Sequence, residues 1–301
     1  MDVIGDLLTG VRARGAAFGR SIASPPWGIK FAVSTPLSVA TMVRGRAWVT
    51  GADGRARPLR PGDVALVKGG RPYVIADSPA TAPAVTVYGE ECEGDVVGPG
   101  PDAYGAAGGE ALLVTGAYRM AGDLSARLLS ALPELLVVPG DDVRPAPALD
   151  LISAEVTGSE PGSQVALDRL LDLLLVLLVR AWFARPEAGT PAWYAALADP
   201  QIGRALRLVH DRPGAPWSVA SLAEAVGMSR AAFARRFAAL VGRPPLAYLT
   251  EWRMELAADL LRRPGVTVAA AAEKVGYADA FGFSAAFKRV RGVPPSRAAL
   301  R

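Results

Sequence analysis

Three arginines stand close together in "SRAAFARRF" (Ser229 to Phe237): Arg230, Arg235 and Arg236. A guanidinium carries five N–H donors in a planar fork, which matches the O6 and N7 acceptors of guanine in a DNA major groove and also suits phosphate oxygens. Phe233 and Phe237, four residues apart, place an apolar stripe along one side of a helix, so Ala234, Arg235 and Ala238 face the other way. Fifty residues on, "AFGFSAAFKRVR" (Ala280 to Arg291) repeats the phenylalanine spacing with different chemistry. Its outward positions Ala280, Phe281, Gly282 and Ala285 have almost no hydrogen-bonding capacity. Ser284 offers the one hydroxyl, and Lys288, Arg289 and Arg291 bring charge suited to phosphates. Phe281 either touches a thymine methyl or packs within the protein.

The elements that hold these residues form one unit written twice. "VASLAEAVG" (Val219 to Gly227) aligns with "VAAAAEKVG" (Val268 to Gly276) at an offset of 49, and after one extra residue the offset becomes 50. Ser229, Phe233, Phe237, Gly242, Pro244 and Pro245 then align with Asp279, Phe283, Phe287, Gly292, Pro294 and Pro295. Each unit reads as a helix stopped by a glycine, an N-capping side chain, a second helix striped with phenylalanine, and a Gly-x-Pro-Pro terminator. Between the units, Leu246 to Leu261 contains no Gly or Pro, and it predicts a helical spacer about 24 Å long at ~1.5 Å per residue.

Charge separates this region from the rest of the chain. Residues 200–301 carry 16 basic and 7 acidic side chains, net +9, whereas residues 1–199 carry 17 and 22, net −5. A basic third on an acidic remainder suggests that one domain meets a polyanion and the other does not. The single cysteine, Cys92, excludes an intrachain disulfide framework, and its acidic neighbours would not activate a thiol. The single histidine, His210, argues against a histidine-built metal site and reads as a capping or packing residue. The N-terminus lacks a secretory pattern, and the most apolar run, Leu170 to Val179, is too short to span a bilayer. A cytoplasmic location is expected.

Upstream, a short amphipathic helix is expected over about Asp2 to Arg14. "GIKFAVS", "LSVATMV", "RAWVT", "DVALV", "YVIA", "AVTVY" and "ALLVTGAY" then follow one another at strand-plus-turn spacing, with a hairpin turn at "ADGR" (Ala52 to Arg55). The rhythm predicts an antiparallel barrel or sandwich. Gly94 to Gly109 reads as a loop and Asp123 to Leu132 as a short helix. Apolar residues from Gln164 to Ala184 cover nearly every face of a helix, which either joins two subunits, clamps two domains or lies inside its own domain. Ala184 to Tyr194 reads as a linker.

Residues 200–301 resemble the tandem helix-turn-helix domain of the AraC/XylS family of transcription regulators. The likeness rests on "MSRAAFARRF", "EWRMELAADLLR" and "VGYADAFGFSAAFKRVRGVPPS". "VRGRAWVT" and "RPLRPGDVALVKGGRPYVIAD" are similar to the two cupin motifs of the family's sensor domain. The resemblance implies an α+β chain: an N-terminal antiparallel β-barrel of cupin type over 1–160, an apolar interface helix and linker over 161–199, and an all-α DNA-binding domain over 200–301. It implies base contacts at Ala231 and Arg235, flanked by Arg230, with Arg230 and Arg236 on phosphate or packed at the edge. Ser229, Ala280, Phe281, Ser284, Lys288 and Arg289 complete the expected DNA-facing set, and the two reading helices would enter successive major-groove segments ~34 Å apart. Partners implied are double-stranded DNA, a second copy of the chain, a small-molecule effector and RNA polymerase.

The metal-binding histidines of a cupin enzyme fall here on Ala40 and Tyr73, so no cofactor, metal or catalytic residue is expected. The barrel would hold an organic effector, with Trp48, Tyr73 and Tyr88 as candidate lining, or serve as a dimerisation scaffold. Two rivals remain: a cupin enzyme located on DNA by its helical domain, and a protein-interaction module whose second helix-turn-helix has lost DNA binding.

Overall fold

The computed structural model describes residues 11–12, 19–32, 35–88, 91–93, 103–105, 109–120, 123–142, 146–157, 160–185 and 189–298. The chain divides into two units. One comprises Val11–Met120 and Leu129–Arg185, the other Met1–Gly10, Ala121–Leu128 and Pro186–Arg301.

The first unit is built on strands β1 (Val11–Arg12), β2 (Gly19–Ala23), β3 (Gly28–Phe31), β4 (Leu37–Arg44), β5 (Ala47–Thr50), β6 (Ala56–Leu59), β7 (Val64–Lys68), β8 (Tyr73–Ala76), β9 (Val85–Tyr88), β10 (Glu91–Glu93), β11 (Ala103–Gly105), β12 (Ala111–Met120) and β13 (Leu135–Val138). They form two sheets, ordered β11-β2-β12-β4-β7-β13 with β1 added on β12, and β10-β9-β3-β8-β5-β6. The sheets face each other across an apolar core that includes Ile29, Phe31, Met42, Val49, Val67, Tyr73 and Ile75. They do not close into one continuous barrel, so the architecture is the sandwich form of the expected fold.

Burial along each strand follows from what covers it. β5 alternates, with Ala47 and Val49 buried and Trp48 and Thr50 half-exposed, because one face of its sheet meets solvent. β4 is buried from Leu37 through Met42, because helices cover the outer face of the other sheet. Helices α1 (Asp123–Ser130), α2 (Ala146–Thr157) and α3 (Ser163–Phe183) come next in the chain. α2 and α3 pack together, and α3 lies on β12, where the Tyr118 hydroxyl donates to the Leu171 carbonyl at 2.9 Å. Gly116 permits this approach, since a Cβ there would sit 2.9 Å from Leu171 Cδ1.

Several expectations change. Val11–Arg12 is a strand paired with Arg119 and Met120, not the end of a helix; the rest of the expected N-terminal helix lies outside the described residues. The expected loop at 94–109 contains β11, paired in parallel with β2. β2, β6, β10, β13 and α2 were not anticipated as elements.

The second unit is helical. Helices α4 (Ala192–Ala195), α5 (Pro200–Asp211), α6 (Val219–Ala225), α7 (Arg230–Val241), α8 (Pro245–Leu261), α9 (Val268–Lys274), α10 (Ala280–Arg291) and α11 (Pro295–Ala298) follow in order. α6–α7 and α9–α10 are the two repeats, each with its own core. Phe233 and Phe237 sit with Leu222, Val226, Tyr248 and Trp252, and Phe283 and Phe287 sit with Met254, Ala258, Ala271 and Val275. α8 contributes to both cores, so the spacer is also the beam between them. Gly242 and Gly292, at φ 78 and 73, end α7 and α10 in the left-handed conformation. The proline pairs do not terminate these helices, as the sequence had suggested; Pro244 caps α8 and Pro245 opens it, where a missing N–H costs nothing.

Part of α1 belongs to this helical unit. Arg127 Nη1 reaches both carboxylate oxygens of Glu255 on α8, at 3.3 and 3.1 Å. Its guanidinium lies 5.6 Å from the Trp193 ring centroid and 5.2 Å from that of Tyr248. Burial pushes the Glu255 carboxyl above the usual range, and the charge of Arg127 opposes the rise.

Candidate nucleic-acid interface

α7 begins where the Ser229 hydroxyl accepts the Ala232 N–H at 3.3 Å, and α10 where Asp279 accepts the Gly282 N–H at 2.7 Å. These caps fix the first turn of each helix. On α7, Phe233, Phe237 and Val241 are buried, while Arg230, Ala231, Arg235 and Arg236 are exposed. Among the described residues Arg230 and Arg235 form no ion pair, which leaves both guanidinium forks available.

Arg236 is committed elsewhere. Its Nε and Nη2 donate to Asp199 Oδ2 at 3.1 and 2.6 Å. Asp199 in turn caps α5, accepting from the N–H groups of Gln201 and Ile202 at 3.1 and 2.9 Å. In the chain without DNA, the Arg236 fork thus lies on a carboxylate at the edge of the helix. The backbone N–H of Ile202 and then the guanidinium of Arg236 hold the Asp199 carboxyl below its ordinary range, against a partial opposing effect of burial.

On α10, Phe283, Ala286 and Phe287 are buried and Phe281 is 86% exposed, so intramolecular packing of Phe281 is excluded. Ala285, Lys288 and Arg289 are also exposed, and Ala280 is half-buried. The Ser284 hydroxyl donates to the Ala280 carbonyl at 2.7 Å, which spends its proton inside the helix. The outer faces of α7 and α10 thus present exposed side chains of opposite character, guanidinium on α7 and a phenyl ring with terminal cations on α10.

The other aromatic candidates do not converge. Tyr73 lies inside the sandwich, 4% exposed and stacked on Phe31 with centroids 4.9 Å apart. Trp48 points to the outer face of β5, and Tyr88 is 46% exposed at the end of β9. Tyr73 does border a cleft of about 350 Å³, walled also by Asp53, Arg57, Lys68, Arg71 and Glu134. Arg57 pairs with Asp53 at 2.7 Å, and Lys68 Nζ donates to the Leu129 and Leu132 carbonyls at 3.2 and 3.4 Å. Among the described residues no group of three or more His, Cys, Asp or Glu could hold a metal ion. His210 is 3% exposed, its Nε2 2.8 Å from the Tyr248 hydroxyl and its ring 4.0 Å from that of Trp252. It is a packing residue of the first core.

A sensor-like sandwich joined to a duplicated helix-turn-helix with exposed arginines defines a two-part DNA-binding regulator. Residues 2–184 match the family model described as "Cupin", and residues 222–301 the model described as "Helix-turn-helix domain". An AraC-like transcription regulator of Streptomyces lividans is 33% identical over 98% of this chain and 97% of its own length, and one of Streptomyces antibioticus is 32% identical over the same shares. Among solved structures, the DNA-binding domain of AdpA, a global transcriptional factor crystallised with a target DNA, is 27% identical over 34% of this chain and 92% of its own, with a TM-score of 0.33. The chain belongs to the AraC-like transcription regulators, with a cupin domain ahead of its helix-turn-helix domain. It is a sequence-specific DNA-binding regulator and not an enzyme.

Proposed function

We propose that base discrimination rests mainly on Arg235 of α7, with Arg230 on phosphate beside it. α10 then anchors the second segment, its Lys288 and Arg289 on phosphates and Phe281 against a thymine methyl. The observation that carries this reading is the contrast between the two helices: Arg235 is exposed without an ion pair among the described residues, while α10 presents Phe281 and a serine already bonded to its own backbone. The two helices enter successive major-groove segments. In a binding assay with the full chain, Arg235→Ala should lose discrimination between a selected site and scrambled DNA, by about 1–3 kcal/mol. Unchanged discrimination would remove Arg235 from this role.

The sandwich senses an effector in this reading, and the cleft beside Tyr73 is a candidate opening for it, with the ion pairs Arg57–Asp53 and Arg71–Glu134 on its wall. Two copies of the chain associate through α2 and α3, where Leu151, Val165 and Leu173 stand exposed at 55%, 63% and 47%. The regulator acts in the cytoplasm, and RNA polymerase is the partner on which a bound regulator acts. Among the described residues no helix is long and apolar enough to cross a membrane.

A further inference from the structure

The two reading helices are joined by more than the α8 beam. Arg253, half-buried on α8 between Trp252 of the first core and Met254 of the second, donates from Nε to the Pro213 carbonyl and from Nη2 to the Ala215 carbonyl, both at 2.7 Å. Its guanidinium also lies 5.9 Å from the ring centroid of Tyr277, in the turn between α9 and α10. One planar side chain therefore grips the turn that leads into the first repeat and stacks on the turn of the second. A lysine could offer charge but neither the paired donors nor the flat face.

The two turns also touch directly. Gly276 stands at φ 83, and a Cβ there would fall 2.4 Å from the Gly214 carbonyl oxygen; a Cβ at Gly214 would fall 3.0 Å from the Lys274 oxygen. Backbone thus lies on backbone with no room for a side chain. The first turn is itself stiffened, with Trp217 Nε1 donating to the Arg212 carbonyl at 2.9 Å and the Arg212 guanidinium 5.2 Å from the Trp217 ring. From Tyr277 the contact passes to α10, since the Tyr277 and Phe283 rings meet edge to face at 5.6 Å.

We infer that Arg253, with Gly214, Gly276 and Tyr277, is a positioning clamp that fixes the offset of α10 from α7 and so makes the protein selective for the spacing between its two DNA segments. The inference rests on both repeats binding DNA. α10 offers little hydrogen bonding to bases, so its share of specificity depends on where it is held. Adding one base pair between the segments moves them ~3.4 Å apart along the axis and rotates one around the other, and a rigid pair cannot follow.

The test uses the full chain and a site selected from random double-stranded DNA, with variants of that site carrying one base pair inserted or deleted between the two protected segments. Wild type should lose about tenfold or more in affinity on both spacing variants, the scale of a single mismatch. Arg253→Met should bind all three sites within about threefold while still distinguishing base changes in the α7 segment, and Arg253→Lys should not restore the spacing penalty. Tyr277→Leu leaves both carbonyl bonds in place and α8 unaltered, and it should reduce the penalty in the same direction, including where Arg253→Met fails to fold. A spacing penalty in Arg253→Met or Tyr277→Leu equal to that of wild type would overturn the clamp. A wild-type footprint over one segment alone would overturn the two-repeat reading as well, and is distinguishable because no spacer then exists to vary.

Discussion

Phe281 spends apolar surface on water, at 86% exposure, one residue into a helix whose other phenylalanines are wholly buried. A ring left so exposed is more useful against a thymine methyl than to the fold. Replacing thymine by uracil across the α10 segment removes only the methyl, and should weaken wild-type binding by about 1 kcal/mol while leaving Phe281→Ala indifferent. Equal binding of both DNAs by wild type would retire the contact. At this scale the sequence reveals what is local. Ser229 and Asp279 are recognisable as caps because their partners lie three residues away. The role of Arg236 was not legible, since its carboxylate is 37 positions upstream and nothing in "FARRF" separates it from Arg235. Trp48 was legible in principle: Ala47 and Val49 face inward, and strand alternation sends Trp48 out.

At the scale of elements, Asp199 holds two helices at once, capping α5 and pairing with the Arg236 side chain of α7. Asp199→Ala should cost about 1 kcal/mol for the cap alone. Its carboxyl is held below the ordinary value, so the folded state prefers it ionised. The stabilisation is complete above the unfolded carboxylate's pKa of ~3.9 and fades as pH falls through the lower folded value. Asp199→Asn keeps an acceptor for the cap and should flatten this acid limb in thermal melts collected from about pH 5 downward; an unchanged limb would mean that other carboxylates dominate it. The duplicated helices were legible because one pattern occurs twice with matched glycines. β6, β13 and α2 were missed because a four-residue strand or a helix flanked by Pro and Gly carries too little periodicity to stand out. The proline pairs were assigned to the wrong helix end, since Pro suits a first turn as readily as it prevents continuation.

At the scale of the whole molecule, α3 buries Leu167, Leu171, Leu174, Leu175, Leu178, Val179 and Phe183, and leaves Val165 and Leu173 outside. The all-round apolar pattern seen in the sequence is thus split between an inner contact and an outer surface. Leu173→Glu should convert a dimer to a monomer in sedimentation at micromolar concentration, because a carboxylate cannot be desolvated against leucine without a partner. A wild-type monomer, or a dimer unaffected by the change, would discard that surface.

The chain also crosses between its two units more often than a simple tandem would. It leaves the sheet at Met120, contributes Arg127 to the helical unit, returns to form β13, and leaves again after Arg185. The DNA-binding half is therefore not a cassette that one cut can release. A fragment beginning at Pro186 would carry Glu255 in its sheltered place without the hydrogen-bonded Arg127, leaving only the more weakly acting charge of Arg291 to offset its burial. Evolutionary shuffling of this domain onto other sensors would have to supply a substitute for Arg127 or first neutralise Glu255.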